Sequence, residues 1–288
     1  PPKTTGGMFT HGLGFGDVNG DGRSDVLEKT GWWEQPEGGG MWKKHAFPFS
    51  GVGGSQMFAY DIDGDGDSDI VSAIHAHGYG LARFEQRSGG DGNITFASHR
   101  IMGALPDESR YGIAFSQLHG LRLADVDGDG VKDIVTGKRY FAHGGKDPGG
   151  RDTPVIYWFR TVRGGGGSVD FVPYLIHDAS GVGTDVTTGD ANADGRLDIV
   201  IGNKKGCFVH LQTEEKVAEP KPVRLAAART DGAGEGLFEG EALTVLERVG
   251  LVRPQDLRSF GAGKWSGSSQ LWWTGAKPAD MIRDGGSR

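Results

Sequence analysis

Asp61-Ile62-Asp63-Gly64-Asp65-Gly66-Asp67-Ser68-Asp69-Ile70-Val71 is the stretch that decides the fold. Carboxylates stand at its first, third, fifth and ninth positions, and Gly66 at the sixth permits a sharp turn. Oxygens at positions 1, 3 and 5, joined by a backbone carbonyl at position 7, can converge on one hard cation. This is the first half of an EF-hand loop, but Asp69 replaces the usual ninth residue and Ser72, not a bidentate Glu, stands at position 12. The stretch closes straight into a β-branched segment, so it fits a strand-loop-strand setting.

Three further stretches align with it without gaps. They run from Asp17, with Asn19, Asp21 and Asp25; from Asp125, with Asp127, Asp129 and Asp133; and from Asp190, with Asn192, Asp194 and Asp198. The four starts lie 44, 64 and 65 residues apart. Each unit repeats one order: a Gly-rich or apolar strand, the acidic loop, a β-branched strand, then an aromatic strand. The aromatic strands align as Trp32-Trp33-Glu34-Gln35, Arg83-Phe84-Glu85-Gln86, Trp158-Phe159-Arg160-Thr161 and His210-Leu211-Gln212-Thr213. A fourth strand is expected near Trp42 to Phe47, Ile94 to Ile101 and Phe171 to Ile176. Four strands per unit at this spacing predict an all-β propeller of four-stranded blades over residues 1–213, with the extra length of units two and three in loops.

Fifteen of the 38 acidic residues fall inside the four loops, and four bound calcium ions would take the formal charge from −7 to +1. An acidic surface is therefore a poor reading, and no basic stripe points to nucleic acid. Like-charged aspartates repel until a cation neutralises them, so the sixteen loop residues predict about one structural calcium per repeat. The 52 glycines lie in turns rather than in a collagen-like period. Cys207 stands alone, which excludes an intrachain disulfide framework and suits a small packed side chain. No apolar run is long enough to span a membrane.

These residues resemble the FG-GAP/VCBS repeats of integrin α-subunit propellers and of many secreted bacterial proteins, over roughly residues 10–213. The resemblance implies calcium in each blade and a secreted or periplasmic setting. Such propellers usually have more than four blades, so the units are expected to belong to a larger ring or to an unusually small one. A narrower likeness rests on Gly137-Lys138-Arg139 and the long loop bearing His143, which are similar to the propeller of aldos-2-ulose dehydratase-type lyases. Those enzymes dehydrate keto-sugars, though no cupin sequence accompanies the propeller here.

Beyond Thr213 the pattern stops. Residues 214–223 are charged and proline-bearing and read as a linker. Residues 224–288, with Trp265, Trp272 and Trp273 in a Gly/Ser setting, resemble the opening of a carbohydrate-binding β-sandwich.

In a propeller the innermost strand begins at the funnel mouth, and the loop joining the second and third strands reaches the same face. His11 and His119 each stand six residues before their loop's first aspartate. His75 and His77 fall in the second-to-third-strand loop of unit two, and Lys138, Arg139 and His143 in that of unit three. All converge on one rim. Imidazoles there can hold a zinc-like ion or move protons, while Lys138 or Arg139 can stabilise an enolate. His45 and His99 align on the outer strand and read as structural; His210 lies in a third strand. The expected function is thus a calcium-binding propeller acting on carbohydrate, with a metal-assisted keto-sugar lyase set against a non-catalytic module that binds a glycan or protein at the rim. A purely architectural repeat would instead plug its channel.

Overall fold

The computed structural model describes residues 10–88 and 93–213, plus the backbone of two short strands further on. The expected linker (214–223) and partial β domain (224–288) lie outside the described residues, except for the ladder of β16 (Gly263–Lys264) and β17 (Gln270–Leu271) mentioned below. No helix among the described residues is long and apolar enough to cross a membrane.

The fold is all-β, with four consecutive blades. Blade one holds β1 (Leu13–Gly16), β2 (Asp25–Glu28), β3 (Gly31–Glu34) and β4 (Lys43–Ala46). Blade two holds β5 (Met57–Tyr60), β6 (Asp69–Ala73), β7 (Leu81–Ser88) and β8 (Ile94–Met102). Blade three holds β9 (Leu121–Ala124), β10 (Asp133–Gly137), β11 (Ile156–Arg163) and β12 (Val169–His177). In blade four, β13 (Thr187–Gly189), β14 (Asp198–Asn203) and β15 (Gly206–His210) are the described strands. Every blade is an antiparallel meander, and the acidic loop joins its first strand to its second. The late β16–β17 ladder touches β15.

Register corrects one detail of the sequence alignment. Trp32 faces Leu27, Arg83 faces Val71, Trp158 faces Val135 and Val209 faces Val200. The third strand of unit four is therefore shifted by one residue, and Val209 rather than His210 is the counterpart of Trp32. The uninformative side chains of that strand hid the offset. Glu28, which stands at the twelfth position of the first loop, is bonded to Lys44 rather than turned to a metal.

Three apolar cores seal the blades to one another. Leu27, Trp32, Met57, Ile70 and Phe84 join blades one and two. Val71, Leu81, Ile113, Ile134 and Phe159 join two and three, and Val135, Trp158, Ile176, Val182 and Ile199 join three and four. In the two inner blades the residues after the ninth aspartate, Ile70 and Val71, and Ile134 and Val135, thus point to opposite neighbours, as strand alternation requires.

The innermost strands of blades one and two also pair in parallel, Gly14 opposite Met57 and Phe15 opposite Phe58. Gly14 makes this possible, since a Cβ there would lie 1.9 Å from the Met57 carbonyl oxygen. Gly14→Ala is expected to force the blades apart and cost about 1–3 kcal/mol, as overpacking does. A lowered urea midpoint at unchanged m-value would register it; an unchanged midpoint would show that the pairing contributes nothing.

Candidate metal centre

The acidic loops are built first by their own backbone. Asp17 accepts the N–H groups of Gly20 (2.8 Å), Asp21 (3.1 Å) and Gly22 (2.8 Å), and Asp125 accepts those of Gly128 (2.8 Å), Asp129 (3.1 Å) and Gly130 (2.9 Å). Asp61 and Asp190 are held in the same manner. Oxygens of the first, third and fifth residues in loop two (Asp61, Asp63, Asp65), and of the first, third and ninth in loop three (Asp125, Asp127, Asp133), gather within 4.8 Å of one another.

The ninth-position aspartates carry a second duty. Asp133 Oδ2 accepts from Val126 N at 3.2 Å, and its Oδ1 accepts from Thr161 N at 2.8 Å on the third strand. Asp25 bonds Val18 N and Gln35 N, and Asp198 bonds Ala191 N and Gln212 N. Each staples its loop to its sheet. Burial pushes the Asp133 carboxyl up to about 7, with Asp127 adding like-charge pressure. An all-oxygen, crowded, anionic donor set such as that of Asp125, Asp127 and Asp133 fits calcium, a hard cation that takes six to eight oxygens.

The second assembly lies at the opposite end of these strands. His11 precedes β1, His119 precedes β9, and His77 stands in the loop from β6 to β7. One nitrogen from each of His11, His77 and His119 falls within a 4.8 Å group. His77 Nε2 is 3.0 Å from His11 Nε2. The rings meet edge-on, with interplanar angles of 66°, 86° and 82°, so nitrogen edges converge rather than stack. Gly53 admits His11, because a Cβ on Gly53 (φ +87°) would lie 2.2 Å from the His11 carbonyl oxygen.

Asp147, in the long loop from β10 to β11, orders this cluster. Its Oδ2 is 3.1 Å from His77 Nδ1 and 2.9 Å from His143 Nδ1. Burial pushes its pKa up, but the hydrogen bonds from His77 and His143 outweigh that and hold it below the usual carboxylate range. Both Nδ1 atoms therefore donate. His143 stacks on His77 with ring centroids 4.6 Å apart and keeps its outer face exposed. Gln117, in a left-handed conformation at φ +60°, ties the rim together. Its N–H donates to Gly78 O (2.6 Å), and its carbonyl accepts from His119 N (2.7 Å) and Arg139 N (3.0 Å).

The residues expected at the rim thus divide. His11, His77, His119 and His143 come together. His75 stands outside the trio, its Nδ1 accepting the His77 N–H at 3.1 Å. Lys138 is 1% exposed, and its Nζ lies 3.4 Å from the Arg139 carbonyl oxygen, which makes it a support for the loop. Arg139 acts on His11 and His119 through its charge. Burial, reinforced by Arg139, lowers His119 to about 4; burial and His77 lower His11. Near neutrality both rings are uncharged. His119 Nδ1 is buried and finds no hydrogen-bond partner among the described residues. Asp147 and Gln117 were missed because nothing local marks them; an acid in the long His143 loop was the one available signal.

The remaining histidines are structural. His45 stacks on Trp32 at 4.0 Å and bonds Glu34, while His99 bonds Glu85 at 2.6 Å. His177 and His210 pack 5.7 Å apart beside Ser180, with Asp178 and Lys205 as the charged groups acting on His177. Burial lowers His210 to about 3 and His177 in the same direction. Below about 6.5, the ordinary histidine value, the unfolded chain binds protons that these folded rings refuse, so stability falls as pH drops from there toward about 3. The urea midpoint is expected to be lower at pH 5 than at pH 7, and His210→Gln to flatten that difference. An equal slope in the variant would remove His210 as its cause.

Residues 61–136 match the family model of the FG-GAP-like repeat. Among curated proteins, none matches the sequence. A solved structure described as the basis of specific recognition of non-reducing terminal N-acetylglucosamine by an Agrocybe aegerita lectin is similar over 71% of this chain. The identity is 19% and the TM-score 0.42, and the match covers 50% of that chain, so this protein spans about half its length.

Proposed function

We propose that this propeller of FG-GAP-like repeats uses calcium to set its acidic loops and binds a zinc-type cation through His11, His77 and His119 at the funnel mouth, where it acts as a carbon–oxygen lyase on a keto-sugar. One observation carries the reading: His77 Nδ1 is committed to Asp147, while its Nε2 stands 3.0 Å from His11 Nε2. A ring whose Nδ1 donates keeps its lone pair on Nε2. His11 Nε2 meets that lone pair at hydrogen-bond distance, so a proton or a cation lies between the two nitrogens, and His119 supplies a third nitrogen to the group. Three histidines with an open fourth position are the ligand set of catalytic zinc, and a carboxylate behind one of them is its usual support.

When bound, such a cation polarises a carbonyl and acidifies the neighbouring C–H. The chain's own groups supply the rest. His143, oriented by Asp147, presents its free Nε2 to solvent and is placed to take the proton α to the carbonyl. The same nitrogen can return that proton to the departing β-hydroxyl, which leaves as water. Arg139, whose backbone N–H donates to the Gln117 carbonyl, brings to this rim the positive charge that opposes the negative charge developing on the carbonyl oxygen. Lys138 serves by holding that loop.

Elemental analysis of the purified chain, combined with an absorbance assay for an unsaturated ketone from a keto-sugar, tests the proposal. Calcium plus about one zinc-like ion, with turnover abolished in His143→Ala, is the expected result. Calcium alone with no turnover would leave the rim as a glycan- or protein-binding surface and end the lyase reading.

A further inference from the structure

We infer that a built-in guanidinium, Arg83, takes the place of the cation at the third- and ninth-position carboxylates of the second acidic loop, so that the chain binds one calcium fewer than it has acidic loops. This rests on the calcium reading above. Arg83 occupies, by register, the place of Trp32, Trp158 and Val209, all of them apolar. Here the place is filled by a cation that is 4% exposed. Its Nε donates to Asp69 Oδ2 at 2.7 Å, and its Nη2 donates to Asp63 Oδ2. Both carboxylates are buried with it.

The contrast with the other loops is specific. In loops one, three and four the ninth aspartate's Oδ2 takes the N–H of the loop's second residue, at 3.0, 3.2 and 2.8 Å. In loop two that oxygen takes Arg83 instead. The third-position carboxylate, Asp63, is drawn to the same guanidinium. Arg23 and Arg196 also approach their loops, but each grips the fifth-position acid alone. Arg160 bridges Asp127 and Asp129 yet leaves Asp133 to the backbone donors of Val126 and Thr161, and it is only partly buried. Among the described residues only Arg83 unites the third and ninth positions from within the core. A second guanidinium, from Arg163 of blade three, donates to the loop's own carbonyls at Asp61 (2.6 Å) and Ile62 (2.9 Å).

A guanidinium does not deprotonate in proteins, and its planar fork suits two carboxylates at once. A dication brought beside it would meet a fixed buried positive charge and two oxygens already in use. Arg83 therefore makes blade two independent of calcium. That blade also carries His77 at the far end of β6, so the centre of the funnel keeps its scaffold when calcium falls.

The experiment is equilibrium dialysis of the full chain against calcium, with elemental counting of bound ions. Three calcium ions per chain are expected. Asp61→Ala should leave the count at three, whereas Asp125→Ala should reduce it to two. Arg83→Met should raise it to four, or make folding depend on calcium. Four ions in the parent chain, falling to three in Asp61→Ala, would overturn this inference and leave the calcium reading standing. No bound calcium would overturn both.

Discussion

Calcium-loaded protein treated with a chelator is expected to melt about 20 °C lower, and to recover when calcium is restored. A site held at about a hundred times its dissociation constant contributes ~2.7 kcal/mol to the folded state. Three such sites contribute ~8 kcal/mol, against a typical total of ~5–15 kcal/mol. At ~2–4 °C per kcal/mol for a chain of this size, the shift is large. The loops explain why the ion matters. The carboxylates of Asp17, Asp125 and Asp190 accept N–H groups from later residues of their loops, Gly20, Gly128 and Asp194 among them, and further carboxyl and carboxamide oxygens stand in the same loops. Burial pushes Asp133 up to about 7, and the proposed calcium would hold it ionised. Differential scanning calorimetry with and without chelator measures this. A melting temperature indifferent to chelation would remove calcium from the account of stability.

The second large effect concerns Asp147. Asp147→Asn is expected to weaken zinc binding 10–100-fold, in line with the loss of a carboxylate behind a metal-ligating histidine. The amide oxygen still accepts one N–H, but it lacks the charge that holds both His77 and His143 with Nδ1 as the donor. His77 is then free to turn its protonated nitrogen toward His11. Competition against a chromophoric chelator gives the affinity directly, and a melting curve shows whether the fold is intact. His143→Ala separates the roles: it should abolish turnover while leaving the zinc affinity close to that of the parent. Equal zinc affinity in Asp147→Asn would sink the positioning role.

Much of the fold is legible in the chain because its defining contacts are local. Each acidic loop closes over a span of three to five residues, as in the bond from Gly22 to Asp17, and its glycines permit the turn wherever they fall. The aliphatic pair after each ninth aspartate, β-branched throughout except for Leu27, marks the second strand in all four units. The third strand was harder: Trp32, Arg83 and Trp158 announce themselves, whereas Val209 does not, and unit four was read one residue out of register.

The candidate site was legible in its histidines and not in what organises them. The six-residue offset from an acidic loop placed His11 and His119 on one rim. Which imidazoles would share a centre depends on contacts across 66 and 70 residues of sequence, His77 with His11 and with Asp147. No periodicity encodes such distances.

The sequence by itself determined that four acidic, glycine-turned loops join short strands in repeated units, because turn geometry and strand alternation act over a few residues. Only the packed structure decided that His75 stands aside, that Lys138 is buried, that Asp147 governs two imidazoles and that Arg83 enters the second loop. Those outcomes follow from how blades seal against one another, and a side chain's partner there is chosen by which neighbouring blade it faces.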